Sequence, residues 1–234
     1  MGYIIAFDGI DASGKTTQIK MLYDRLKDLG YDVLYLTFPD YDSESSALVR
    51  LYLNGGFGKK PEDVNPYAAS SFYAVDRYAS YMNMDGKTGW KEFYERANSI
   101  ILANRYTTAN AIHQMPKLNK DKWDKFLDWL WDFEYEKLKI PKPDLIVMFD
   151  MHIDVALKLL EERTDVNNTK KDIHEADPHY LKNSYEAGKY AADYLQWENL
   201  ICYFQDEDNN LIPKSREEIN RDLFDLIKSK IGVS

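Results

Sequence analysis

Gly9-Ile10-Asp11-Ala12-Ser13-Gly14-Lys15-Thr16 fits the pattern G-x-x-x-x-G-K-[ST]. The residues on either side decide what that match is worth. Residues 3–7, Tyr-Ile-Ile-Ala-Phe, are a short apolar run that predicts a buried strand. Residues 15–29 carry Ile19, Leu22, Leu26 and Leu29 at helical spacing. A strand, a glycine-containing turn and a helix in this order form the context in which such a loop wraps phosphate. Gly9 and Gly14 let the main chain approach an anion with no Cβ in the way. Successive backbone N–H groups from Asp11, Ala12, Ser13 and onward to Thr17, together with the helix N-terminus, supply positive potential. Lys15 is placed to reach terminal phosphates, and the Thr16 hydroxyl to hold a magnesium ion.

Strand and helix patterns then alternate to the end of the chain. Further strands are expected at 32–37, 99–103, 144–149 and 200–203. Helices are expected at 45–53, 66–81, 107–114, 120–138, 153–163, 178–195 and 215–231. Alternation of this kind predicts an α/β fold with a five-stranded, mainly parallel sheet flanked by helices. The chain of 234 residues reads as one domain with no linker. Residues 164–177 are polar with no apolar period, and are expected to form a mobile lid between two helices. The 120–138 helix is apolar on more than one side: Trp123, Phe126, Leu127, Leu130 and Trp131 share a stripe, while Trp129 and Phe133 lie off it. Packing between internal layers and a helix shared with a second subunit both account for that surplus.

Composition narrows the partners. The net charge of -9 argues against broad nucleic-acid binding and against docking on an anionic membrane. An anionic ligand must therefore be drawn in by local cations. The single cysteine, Cys202, excludes an internal disulfide framework and a cysteine-built metal site. No apolar run approaches transmembrane length, and the N-terminus leads straight into a strand, so a cytoplasmic protein is expected.

Ligands of parallel α/β sheets bind at the carboxyl ends of the strands. The residues expected there include Asp8, Gly9, Phe38, Pro39, Asn104, Arg105 and Asp150. Arg105 offers a planar fork suited to two phosphate oxygens at once. Tyr73 and Arg77 stand one helical turn apart, so a ring able to stack on a base lies beside a cation able to read its edge. A core tyrosine next to a surface arginine gives the same spacing.

Four blocks in order give the chain a more specific likeness: residues 7–17, Phe38-Pro39, Phe72-Tyr73-Ala74-Val75-Asp76-Arg77, and residues 104–110, Asn-Arg-Tyr-Thr-Thr-Ala-Asn. With the late polar segment, they resemble the thymidylate kinases, a branch of the nucleoside-monophosphate kinases, over the chain to about Tyr190. The resemblance implies transfer of the ATP γ-phosphate to thymidine monophosphate, with Mg2+ as cofactor and a homodimer as the assembly. It implies that Gly9 and residues 11–17 bind ATP, with Asp11 near sugar and metal. Tyr73 would stack on thymine, Arg77 and Asn110 would contact the base edge, and Phe38 would line the monophosphate pocket. Arg105 would grip the substrate phosphate, and Arg163 at the start of the lid would face ATP.

The chain departs from that family at three points. Asn104 stands where an aspartate is usual, Asp40 where many relatives carry a phosphate-binding arginine, and the lid offers Lys170 and Lys171 but no internal arginine. Arg163, Lys170 and Lys171 are all candidates for the cation that meets the moving phosphate. Two other readings share the phosphate loop: a deoxynucleoside kinase, which needs a carboxylate base beside a hydroxyl acceptor, and a nucleotide-binding regulatory protein with little catalysis.

Overall fold

The computed structural model describes residues 1–82, 89–167 (side chains through 162) and 177–232. β1 (Tyr3–Asp8) leads into the phosphate loop and α1 (Lys15–Asp28), and β2 (Asp32–Thr37) follows. Two helices, α2 (Ala47–Leu53) and α3 (Pro66–Met82), and a single turn, α4 (Lys91–Tyr94), precede β3 (Ser99–Asn104). Then come α5 (Thr108–His113), α6 (Trp123–Trp131), β4 (Leu145–Asp150), α7 (Ile153–Asn167) and α8 (Pro178–Tyr194). The chain closes with β5 (Glu198–Ile201), β6 (Tyr203–Gln205), β7 (Leu211–Pro213) and α9 (Arg216–Ile231).

β1 through β5 form one parallel sheet in the order β2-β3-β1-β4-β5, as the alternating pattern predicts. The strand order reverses between β1, which leads to β2 by way of α1 on one side, and β4 on the other. That places the loop after β1 at the crevice where such sheets bind ligands. Both faces are covered, so β1 and β3 read as unbroken apolar runs and are buried along nearly their whole length. On one face Ile5, Phe7, Leu22, Leu102, Val147 and Phe149 belong to the larger core, which α1, α5, α8 and α9 close. On the other, Ile4, Ala6, Ile101 and Ala103 pack with Phe38, Trp90 and Tyr106.

Three expectations need correction. The 120–138 helix is not continuous: a 3-10 turn at Lys120–Lys122 enters α6, and a wide π turn at Asp132–Lys137 follows it. The widening turns Glu134 and Tyr135 inward, and both are buried. The fifth strand lies at Glu198–Ile201 rather than 200–203, because Cys202 departs from the ladder to start an antiparallel hairpin, β6 with β7, that the sequence did not announce. Strands of three residues are too short to show a period. Cys202 is buried, and burial followed by the charge of Asp150 pushes its thiol up to about 12. α7 runs on to Asn167, four residues into the expected lid, whose remainder at 168–176 lies outside the described residues together with Lys170 and Lys171. The Trp129 ring stacks on Phe133 at 5.2 Å and meets Tyr67 edge-on at 4.6 Å, so part of the surplus apolar surface is used within the chain.

Candidate active site

The phosphate loop is shaped by two glycines. Gly14 opens α1 at φ 82°, a left-handed conformation that favours glycine. Gly9 lies so close to β4 that a Cβ there would come within 2.7 Å of the Phe149 carbonyl oxygen. The Lys15 ammonium is folded under the loop, donating to the carbonyls of Gly9 and Ile10 at 2.8 Å each and to Ser13 Oγ at 3.2 Å. Burial, and then the charge of Arg105, lowers its pKa from 10.5 to about 7, against the pull of Asp11 and Asp8. The cation is thus held ready but underneutralised, and a polyphosphate is the partner that would restore its charge.

Arg105 follows β3 in the left-handed region at φ 65°. A non-glycine residue in that region is strained, and such strain persists where surrounding contacts hold it. Here the contacts are an ion pair with Asp11 and a bond to His113 Nε2. Asp11 and Asp8 keep the guanidinium charged in spite of burial, and the Tyr41 and Tyr73 rings lie close enough to act on it electrostatically. Tyr73 in turn meets Tyr52 edge-on at 6.5 Å. Arg105, Asp11, Lys15, Thr16 and Asn104 therefore converge on one cleft of about 630 Å³. Its far wall is Lys214, Ser215 and Arg216 at the start of α9. The sequence gave no motif for that wall; the tertiary fold alone brings it in.

Asn104 ends β3. Its amide nitrogen lies 3.1 Å from Thr16 Oγ1 and 3.0 Å from the Tyr35 hydroxyl, while its carbonyl oxygen is buried without a partner among the described residues. Turning the amide over puts the oxygen on both hydroxyls as acceptor, and frees a Thr16 lone pair to face a cation. With the amide in that orientation, the Thr16 hydroxyl fits a magnesium ion held by threonine, phosphate oxygens and water, the usual sparse protein coordination for this ion. Among the described residues no cluster of His, Cys, Asp and Glu offers an alternative metal cage. Asp8, the last residue of β1, is fully buried; Thr108 donates to it, and burial raises its carboxyl to about 6.

The remaining expected residues fall into a second group. Arg77 is 1% exposed and pairs in a fork with Glu134: Nε to Oε2 at 2.8 Å and Nη2 to Oε1 at 2.5 Å. Asn110 Nδ2 donates to Glu134 Oε1 at 3.2 Å and Thr107 Oγ1 to Oε2 at 2.8 Å. Arg77 is therefore neither a surface residue nor alone. Sequence reasoning brought Arg77 and Asn110 out and missed Glu134, although a signal existed: it continues the stripe of Phe126 and Leu130, so a carboxylate stands where the period calls for an apolar side chain. Phe38 is buried against Tyr106, 6.0 Å between ring centroids, after a Phe38-Pro39 peptide that is cis. At the departure Asp40, the backbone N–H donates to Asp76 at 2.9 Å, and Asp76 also takes the Ser45 hydroxyl at 2.6 Å. The Arg163 side chain lies outside the described residues.

A family model described as thymidylate kinase matches residues 7–193. A thymidylate kinase from Mycobacterium tuberculosis is 26% identical over 184 residues, 78% of this chain and 77% of that one. A thymidylate kinase from Sulfurihydrogenibium is 30% identical over 165 residues, 70% and 74% of the two chains. A solved thymidylate kinase from Candida albicans superposes with a TM-score of 0.68 at 16% identity, covering all of this chain and 94% of that one, which speaks to the fold. These matches do not favour the nucleoside-acceptor or regulatory readings. The chain belongs to the thymidylate kinase family, and is a phosphotransferase that moves a phosphoryl group from ATP to thymidine monophosphate.

Proposed function

We propose that the two groups of side chains divide the reaction between them: the phosphate loop takes ATP, and Tyr73, Arg77, Asn110 and Arg105 take thymidine monophosphate. The observation that carries this is Arg105, which reaches Asp11 on the phosphate loop while lying within electrostatic range of Tyr73. It thus joins the nucleotide cradle to the residue assigned to the base. In this reading Tyr73 stacks on thymine, Phe38 closes the pocket from the core side, and Arg105 exchanges Asp11 for the substrate phosphate. Lys15 swings from the loop carbonyls to the β- and γ-phosphates. The attacking atom is already an anionic phosphate oxygen, so positioning and charge neutralisation do most of the chemistry and no strong base is needed. Thr16, with the Asn104 carbonyl behind it, would hold Mg2+, whose contribution is to neutralise the phosphate oxygens. Arg163, Lys170 and Lys171 are the candidates for the cation that meets the moving phosphate.

A coupled assay with ATP, magnesium and a panel of nucleosides and nucleoside monophosphates tests the acceptor assignment. Thymidine monophosphate is expected to give the highest kcat/KM; a better rate with thymidine would overturn it.

Asn104 keeps the shape of the family's aspartate without its charge. Asn104→Asp is expected to raise kcat several-fold with little change in the KM for thymidine monophosphate, since a charge beside the metal acts mainly in the transition state. An unchanged or lower kcat would show that the charge comes from elsewhere, with Asp11 and Asp150 the first places to look.

The expected assembly is a homodimer in the cytoplasm. Val75, Tyr78 and Met82 leave an apolar face of α3 exposed, Leu48 and Leu51 are exposed on α2, which packs against α3, and a two-fold contact would cover the same surface on each subunit. Light scattering at micromolar concentration should give twice the chain mass of 27.4 kDa; a stable monomer would contradict it.

A further inference from the structure

Glu134 has no exposed surface and accepts four hydrogen bonds, two from Arg77 and one each from Thr107 and Asn110. We infer that Glu134 is a positioning residue that sets base specificity. It fixes Arg77 as a donor and Asn110 as an acceptor toward the base, matching the 4-oxo, N3–H edge of thymine and rejecting the 4-amino, N3-acceptor edge of cytosine. The inference rests on the assignment of Arg77 and Asn110 to the base, and adds the reason for their polarity.

An ionised carboxylate accepts hydrogen bonds and donates none. A carboxamide has two faces of similar shape, and its neighbours decide which way it lies. Beside Glu134 the Asn110 nitrogen must face the carboxylate, at 3.2 Å, so its oxygen is carried to the other side. An oxygen there accepts from an N3–H and repels a bare N3. Arg77 commits Nε and Nη2 to Glu134, which leaves Nη1 as the nitrogen not engaged by that carboxylate and aims the guanidinium plane. Nη1 can only donate, so it suits a 4-oxo group and opposes a 4-amino group. Glu134 thus sets a donor and an acceptor in fixed order. A base with the reverse order leaves buried polar groups unpaired, which is how sites reach discrimination well beyond that of shape alone. The carboxylate comes from the π turn Asp132–Lys137, on the buried stripe that Phe126 and Leu130 begin.

Glu134→Gln tests this. The amide keeps the shape but offers one acceptor in place of two. Whichever way that amide lies Arg77 loses half of its fork, and with its nitrogen at the Oε1 position Asn110 is also freed to turn; both changes act on the base edge. The readout is the ratio of kcat/KM for thymidine monophosphate to that for deoxycytidine monophosphate, measured in one preparation so that the folded fraction cancels. The ratio is expected to fall about tenfold, with the KM for ATP unchanged. A ratio within twofold of the wild type, in wild-type enzyme that does prefer thymidine monophosphate, would overturn the role of Glu134 alone. Wild-type enzyme with no preference for thymidine monophosphate would overturn the base assignment beneath it. If Glu134→Gln does not fold, side-chain amide exchange in the wild-type protein decides. The Asn110 amide protons, identified by their loss in Asn110→Ala, should exchange slowly both with and without thymidine monophosphate, and rapid exchange in the free protein would overturn the proposal.

Discussion

Lys15→Ala is expected to reduce phosphoryl transfer on the order of a thousandfold or more while leaving the fold intact. The ammonium sits 2.8 Å from two loop carbonyls, and burial holds its pKa near 7, so in the free enzyme it stabilises little. Its charge matters when phosphate arrives. Proton balance gives an independent reading of the same group. Above its free pKa of about 7 the Lys15 ammonium gives up its proton, whereas the Asp8 carboxyl, raised to about 6, has already lost its own. Bound polyphosphate favours the ammonium, so nucleotide binding above neutral pH should take up a proton, and this uptake should fade as the pH drops below 7. Calorimetry in two buffers of different ionisation heat measures it, and Lys15→Ala should abolish it. Near-normal turnover in folded Lys15→Ala, or no uptake in the wild type, would contradict the assigned role. The unfolded chain holds this proton up to about pH 10.5, whereas the folded one releases it near 7. This group therefore makes the free protein more stable as pH rises from 7 to 10.5.

Arg77→Met is expected to destabilise the protein by about 3–5 kcal/mol, because it strands Glu134 as a buried, unpaired carboxylate. For a chain of this size that is a fall in Tm of about 10 °C or more. The loss comes from the stranded charge more than from any net worth of the pair. Adding Glu134→Leu to Arg77→Met should therefore recover most of the stability, since a buried ion pair replaced by apolar side chains is often near neutral. Thymidine monophosphate binding should not return with it. Thermal melts of the single and double variants distinguish the cases; a single variant within about 1 kcal/mol of the wild type would show that the carboxylate finds other partners.

The phosphate loop and the parallel sheet were legible because their signals are local. A strand, two glycines, Lys15-Thr16 and an amphipathic helix follow one another, and each has a period or a backbone requirement of its own. Arg77, Asn110 and Arg105 could be singled out the same way, as residue types in recognisable blocks, but their partners could not. Arg77 and Glu134 are separated by 57 residues and Arg105 and Asp11 by 94, and no local pattern connects such positions. The long helix after Asn119 was read correctly as apolar and wrongly as regular, since no glycine or proline marks the π turn at Asp132–Lys137. The β6–β7 hairpin and the Lys214–Arg216 wall of the cleft were invisible for the same reason. By itself the sequence determined the strand, glycine turn and helix of the first loop and what kind of sheet carries them, because those depend on the backbone over a few residues. Only the tertiary structure decided which carboxylate each arginine meets, because burial makes an unpaired charge too costly and the fold alone determines which acidic side chain is within reach.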